Sequence, residues 1–446
     1  MTNPAAPQVD PATLRKVIVA AAIGNFVEWF DFAVYGFLAT TIALLFFPSG
    51  DPSVALLKTF AVFAVAFAFR PLGGIFFGML GDRIGRKRTL AMTILLMAAA
   101  TTLIGILPTY ASIGVMAPIL LTLIRCAQGF SAGGEYAGAC AYVMEHAPTD
   151  KRAWYGSFLP VSTFSAFATA AVVAYALEAT LSSQTMQSWG WRLPFLIAAP
   201  MGLIGIYLRS RLAETPAFQA VSDEHAVAHS PLKETLRHHA RPILCLGAFV
   251  SLTALSFYMF TTYFATYLQV AGGLTRATSL LVALIALLFA ALICPLAGAF
   301  SDRVGRRKTI ATTCALLIVV VLPAFLMASS GSFAASVLGV MLLAVGAVLS
   351  GVVTAALLSE VFPTRTRYTA SAITYNMAYT LFGGTAPLVA TWLISTTGSN
   401  LSPAFYLVAV SLLALMGGLA LPETSRISLH EVPSMDKART VRPLAE

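Results

Sequence analysis

Apolar blocks of roughly twenty or more residues recur twelve times along the chain, long enough to cross a bilayer core about 30 Å thick. They lie at about 17–47, 55–80, 89–108, 113–145, 153–181, 191–211, 240–270, 275–300, 309–329, 333–361, 366–397 and 402–421. Inside lipid the backbone polar groups must be satisfied within the segment, so the blocks are predicted to be helices. A membrane barrel is excluded, because period-two alternation with polar residues is absent. Composition agrees: 58% of residues are hydrophobic and 11% charged, against about 25% charged in a soluble domain.

The formal net charge of +9 could be read as a nucleic-acid signal, but its distribution follows the loops. Lys58, Arg192 and Arg276 fall on one side, and Arg70 and Arg125 fall within blocks. The remaining basic residues fall on the other side, in clusters such as Arg83, Arg86, Lys87, Arg88 and Arg303, Arg306, Arg307, Lys308. A positive-inside bias of this kind predicts two cytoplasmic termini and no nucleic-acid partner. No cleavable signal peptide is expected, since the first apolar block exceeds an h-region of about 7–15 residues. Cys126, Cys140, Cys245, Cys294 and Cys314 all sit inside apolar blocks without metal-ligand spacing. They read as small buried residues, with neither metal nor disulfide expected.

An internal repeat organises the blocks. Gly81-Asp82-Arg83-Ile84-Gly85-Arg86-Lys87-Arg88 recurs as Ser301-Asp302-Arg303-Val304-Gly305-Arg306-Arg307-Lys308, 220 residues later. Glu145-x-x-Pro148 recurs as Glu360-x-x-Pro363, and Glu214-Thr215-Pro216 is echoed by Pro422-Glu423-Thr424. Three signals in the same order imply a six-plus-six duplication. The expected divisions are an N-terminal half at 1–211, a polar linker at 212–239, a C-terminal half at 240–421 and a cytoplasmic tail at 422–446.

Gly78-x-x-x-Asp82-Arg83-x-Gly85-Arg86-Lys87 and its second copy resemble the signature loop of the major facilitator superfamily. Finer motifs resemble its metabolite–proton symporter branch, which holds carboxylate permeases and proline/betaine permeases. They are Gly24-Asn25-Phe26-Val27-Glu28-Trp29-Phe30-Asp31-Phe32, Phe69-Arg70-Pro71-Leu72-Gly73-Gly74, Arg125-x-x-Gln128-Gly129-Phe130-Ser131-x-Gly133-Gly134-Glu135 and Trp189-Gly190-Trp191-Arg192-Leu193-Pro194-Phe195. The resemblance covers about residues 17–425. It implies an all-α membrane fold of twelve spans in two halves, alternating access, no cofactor and residence in a bacterial inner membrane. A monomer is expected.

Ionisable groups within lipid are costly and mark a pathway by default. Here they are Glu28, Asp31, Arg70, Arg125 and Glu135, all in the first half, whereas the second offers Tyr258, Tyr263, Tyr267, Tyr375, Asn376 and Tyr379. Asn25, Glu28, Asp31 and Tyr35 share one helix face. They read as a cavity-lining stripe whose titratable acid couples protons, Asp31 foremost; the alternative is a fixed partner for an arginine. Arg125, near the middle of its block, suits bidentate grip of a carboxylate, with Gln128 beside it; a clamp on Glu28 or Asp31 is the other reading. Glu135 is either a relay acid or a packed partner. Arg70 precedes Pro71, which frees a backbone carbonyl at a kink, so a structural role ranks first for it. Tyr258, Tyr375 and Asn376 are candidate wall residues of the substrate site. Asp82, Arg86 and Glu145, with Asp302, Arg306 and Glu360, read as gating latches at the cytoplasmic face.

No nucleotide loop, metal constellation or nucleophile–base pair is present, so an enzyme is not expected. The leading expectation is proton-coupled uptake of a small organic acid, such as a di- or tricarboxylate. Two features support it: Arg125, where related osmolyte permeases tend to carry lysine, and a short tail without heptads. The alternatives are a zwitterionic osmolyte (proline or betaine) or an aromatic acid, with a passive uniporter ranked lower.

Overall fold

The computed structural model describes residues 11–84, 86–210, 235, 239–362, 367–427 and 429. The linker at 212–239 therefore falls almost wholly outside the described residues. Among those described, nine helices are by length and hydropathy fit to cross a membrane. In chain order the spans are α1 (Leu14–Phe37), α2 (Pro52–Phe77), the shorter α3 (Ala91–Ile106), and α4 in two pieces (Met116–Ala132 and Glu135–His146). Then come α5 (Thr149–Thr180), the shorter α6 (Gly190–Ile204), α7 (Ala240–Val270) and α8 (Arg276–Val304). The last four are α9 (Arg306–Ala328), α10 (Phe333–Glu360), α11 (Thr369–Thr397) and α12 (Ser402–Leu419). The twelve match the apolar blocks in number and order.

Leu203, Leu292, Leu296 and Val319 are each more than two-thirds exposed, which suits lipid and not water. The interior is the unusual part: Trp29, Arg70, Arg125, Arg306, Tyr258 and Tyr375 are all among the largest fully buried side chains. Within the first half α1 packs on α5 and α3 on α6; within the second, α8 packs on α10 and α9 on α12. The halves meet along α5 with α8 and along α2 with α11.

Four spans are interrupted beside the buried central side chains. In α2 the helix breaks at Phe69, just before Arg70-Pro71, because proline supplies no N–H and crowds the preceding residue. In α4 the break is Gly133-Gly134. These two spans cross so closely that a methyl group at Gly73, Gly129 or Gly133 would overlap backbone atoms of Phe130, Ala66 or Arg70 respectively. Only glycine permits that crossing. In the second half the helix widens into π turns at Met259–Tyr263 in α7 and Tyr379–Gly383 in α11, a feature frequent at functional sites.

Candidate functional site

The breaks leave backbone carbonyls that a neighbour must satisfy. Pro71 strips the hydrogen bond from the carbonyl four residues back, Phe67, and the Thr380 hydroxyl of α11 donates to it at 2.8 Å. The Asn376 amide of the same helix donates to Gly133 O in the α4 break at 2.7 Å. One turn of α11 thus bridges both weak points of the first half, and sets Tyr375 and Tyr379 against its charged residues. Tyr375 stacks on Tyr136 and Tyr379, with ring centroids 4.7 and 3.9 Å apart.

The α1 stripe faces these groups, and its members fare differently. Asn25 donates to Leu159 O, Ser162 Oγ and Thr163 Oγ1 on α5 at 3.2, 2.8 and 2.7 Å, and accepts from Trp29 Nε1 at 2.9 Å. Its amide is fully used in fixing α1 to α5 and orienting Trp29. Glu28 lies 3.7 Å from Arg70 Nη2. Asp31 faces Thr101 and Arg125, yet neither of its oxygens has a hydrogen-bond partner among the described residues. The Thr101 hydroxyl, with a single proton to give, also lies 3.0 Å from Met97 O. Tyr35 donates to Thr59 O at 3.0 Å and lies under the Arg125 guanidinium, 4.2 Å from its ring centroid.

Arg125 donates through Nη1 to Gln128 Oε1 at 2.7 Å, and Gln128 passes the chain to Thr101 Oγ1 at 2.5 Å. Gln128 is therefore satisfied at both ends, as Asn25 is, and both hold other groups in place. Arg70 stands in a box of rings: Phe67, Phe32, Tyr379, Trp29 and Tyr375 have centroids 5.2 to 5.9 Å from its Cζ. Several polar atoms in this region lack hydrogen-bond partners among the described residues: Arg70 Nε and Nη1, Arg125 Nε and Nη2, both Asp31 oxygens, the Tyr258 and Tyr375 hydroxyls and Asn376 Oδ1. Buried polar groups are normally paired, so donors and acceptors left over from both halves, around Arg70 and Arg125, which both lie against the Phe32 ring, mark a place for a polar ligand. Glu135 is buried at the start of the second piece of α4.

The sequence profile of the Major Facilitator Superfamily matches residues 21–387. The chain belongs to that superfamily. It is 39% identical to a proline/betaine transporter of Salmonella typhimurium over 427 residues, covering 94% of this chain and 85% of the relative. It is also 39% identical to an ectoine/proline transporter of Corynebacterium glutamicum over 432 residues, covering 94% and 86%. A transporter of glycine betaine, proline, ectoine and pipecolic acid from Dickeya dadantii is 38% identical over 427 residues. Among solved structures, a proton:xylose symporter bound to 6-bromo-6-deoxy-D-glucose superposes with a TM-score of 0.77 at 17% identity, covering 94% and 98% of the two chains. That likeness shows the fold alone. The names of the relatives favour the zwitterionic alternative over the di- or tricarboxylate reading.

In this major facilitator chain the signature loops lie between α2 and α3 and between α8 and α9. The side chains of Asp82, Arg86 and Glu145 are outside the described residues. The second copy is described in full. Arg306 grips Glu360 with two hydrogen bonds, Nε to Oε2 at 3.0 Å and Nη2 to Oε1 at 2.9 Å. Its Nη1 reaches Asp302 Oδ1 at 2.9 Å. Asp302 in turn accepts from the backbone N–H groups of Ala153 and Trp154 at 3.0 and 2.8 Å, the first turn of a helix in the other half, where an anion is favoured. Two residues to which sequence reasoning gave no role, Glu423 having entered only as part of the third repeat, complete the cluster. Arg152 lies 3.9 Å from Glu360 and donates to Ile427 O at 2.7 Å. Glu423 accepts from the N–H groups of Arg306 and Arg307 at 2.8 and 3.0 Å. Burial pushes the Glu423 carboxyl up, but those backbone donors outweigh it and hold its pKa below the ordinary value.

Sequence reasoning also gave no role to Thr380, Thr101 and Trp29, the last of which it quoted only within a motif. Thr380 was within reach, because Pro71 names Phe67 as the carbonyl it frees. Trp29 and Thr101 each have one partner on their own helix, Asn25 and Met97, but the contacts that tie them to the site, from Arg70 and Gln128, come from other helices.

Proposed function

We propose that the chain is a proton-coupled symporter for a small zwitterionic osmolyte of the proline or betaine class. It sits in a bacterial cytoplasmic membrane with both termini inside, acts as a monomer, and works by alternating access between its two six-helix halves. The observation that carries this reading is the mixture of charges in the buried centre: Arg70 and Arg125 beside Glu28 and Asp31, walled by rings from both halves. A zwitterion brings one charge of each sign. Its carboxylate suits the unused Arg125 donors, and its ammonium suits ring faces and a carboxylate. A tricarboxylate would instead place several negative charges beside two existing carboxylates, which repel it.

Coupling follows from competition. When substrate takes Arg125, Asp31 keeps its burial but loses its cation. A carboxylate in that position is tolerable only if a proton arrives with the substrate. Glu28 is tied to Arg70 and serves the ring box, and Glu135 is a further candidate in the relay. The Arg306–Glu360–Asp302 cluster is the cytoplasmic latch, and the equivalent Asp82, Arg86 and Glu145 are assigned the same role by the repeat.

Uptake into proteoliposomes under an imposed proton gradient tests this. Proline, betaine and ectoine should accumulate, and di- and tricarboxylates should not. Accumulation of carboxylates alone would overturn the substrate class, and uptake indifferent to the gradient would overturn symport. Asp31→Asn should retain exchange of internal for external substrate while losing gradient-driven accumulation by about tenfold or more, the scale of one lost proton-coupled equilibrium.

A further inference from the structure

At the end of the bundle opposite Arg306, a cavity of about 330 Å³ lies between the halves. The short helix that follows α1 (Ala39–Phe46) and the ends of α2, α7, α8 and α11 line it, through residues that include Thr40, Ser53, Tyr263, Tyr267, Arg276 and Thr391. Its volume fits a small organic solute, and its wall is apolar with few polar groups, as ligand sites commonly are. Two of those polar groups stand out. The Thr40 hydroxyl is buried and has no hydrogen-bond partner among the described residues. Arg276, from the second half, donates to Glu178 Oε1 at 3.1 Å and Thr41 Oγ1 at 3.3 Å, both in the first half. The guanidinium has five N–H donors, so capacity remains for an incoming carboxylate.

The cavity also leads inward. Tyr267 and Tyr263 are 6.1 Å apart and Tyr263 is 6.4 Å from Phe60. One turn along α2, Phe63 is 5.7 Å from Tyr258 in the ring box. Rings thus mark the way from the cavity to the buried centre, the step from Phe60 to Phe63 being one turn of α2.

We propose that this cavity is a vestibular recognition site for the zwitterion, in which Arg276 takes the substrate carboxylate and the rings of Tyr263 and Tyr267 receive the ammonium. The proposal rests on the reading of the chain as a zwitterion transporter. Binding there draws Arg276 away from Glu178, so arrival of substrate loosens the one ion pair found between the halves at this end among the described residues.

A site and a mere strut predict different kinetics. If Arg276 binds substrate and Glu178 competes for it, the two neutral variants move KM in opposite directions. Arg276→Gln should raise KM for proline or betaine about tenfold, the usual worth of one charge-assisted hydrogen bond, and Glu178→Gln should lower it. Arg276→Lys should fall between. Initial rates in proteoliposomes, normalised to inserted protein, measure all three. Equal shifts in the two neutral variants, or an unchanged KM in both, would overturn the vestibular site and leave the pair a strut. If the unaltered protein carries no zwitterion at all, the transport reading itself fails, and the vestibule with it.

Discussion

The two ends of the bundle close the same interface between halves by different means. At the Arg306 end the contacts that cross are those of Asp302 with the Ala153 and Trp154 N–H groups and of Glu360 with Arg152. They are braced within the second half by Arg306, which is fully enclosed with Glu360, while Asp302 is 9% exposed. At the Arg276 end the ion pair is single and its partners are 28% and 16% exposed, beside an open cavity. Both ends use arginine and carboxylate. What differs is the environment, and it decides how strongly each end resists opening. A carboxylate held by two aligned N–H donors in low dielectric is difficult to release, whereas a solvated single contact is worth about 0–1 kcal/mol. In this structure the Arg306 end is shut, and the weaker end is the one beside the cavity.

The largest effect is expected from breaking the stronger end. Glu360→Gln removes the charge that faces buried Arg306 and leaves Arg152 without its carboxylate. Loss of one partner from a buried pair costs about 3–5 kcal/mol. Thermal unfolding in detergent should fall by several degrees, and cysteines introduced near residue 153 should become more reactive to membrane-impermeant thiol reagents. A variant that unfolds like the parent would remove the contrast between the ends.

Next in size is Asp302→Ala, which strips the acceptor from the Ala153 and Trp154 N–H groups. An unsatisfied buried donor costs about 1–3 kcal/mol, and these bonds cross between halves. The same labelling assay should therefore respond with a smaller loss of stability than Glu360→Gln produces.

The acid side of the pH profile gives a third test at this end. The Glu423 carboxyl has a folded pKa below the ordinary 4.5, so its contribution to stability is complete above that value. It is lost as pH falls through the depressed folded value. Glu423→Gln should flatten the stability profile below about pH 4.5 and leave it unchanged at pH 7 apart from a constant offset. A slope that persists in the variant would assign the acid sensitivity to another group.

Much of this contrast was legible in residue order, and the reasons are physical. Hydropathy marks helices that must satisfy their own backbone in lipid, so all twelve spans could be located from apolar runs. The repeated loop brings Arg306 and Glu360 to matching ends of α9 and α10, which is where the structure places them in contact. Periodicity put Asn25, Glu28, Asp31 and Tyr35 on one face, but spacing is silent about which of them is already satisfied from across the bundle. Asn25 spends its amide on α5 and Gln128 on Thr101, while Asp31 does not. Arg276 and Glu178 were illegible for a related reason: they lie 98 residues apart, at the ends of α8 and α5, in segments that carry no motif. Substrate class was harder still, because Arg125 and a short tail speak to one charge, whereas the site presents both.

The smallest effect belongs to the weaker end and is the most informative for that reason. Glu178→Gln removes the carboxylate that faces Arg276 yet keeps an amide oxygen able to accept a hydrogen bond. With both side chains part-exposed, water can replace what is lost, so stability should change by less than about 1 kcal/mol. Unfolding in detergent should be nearly that of the parent, and raising salt should erase the remaining difference, since an exposed pair is screened. The Arg306 network, shielded from solvent, should keep its contribution at the same ionic strength. If Glu178→Gln instead destabilises the protein as much as Glu360→Gln does, the Arg276 end is a full gate, and the two ends differ in exposure but not in strength.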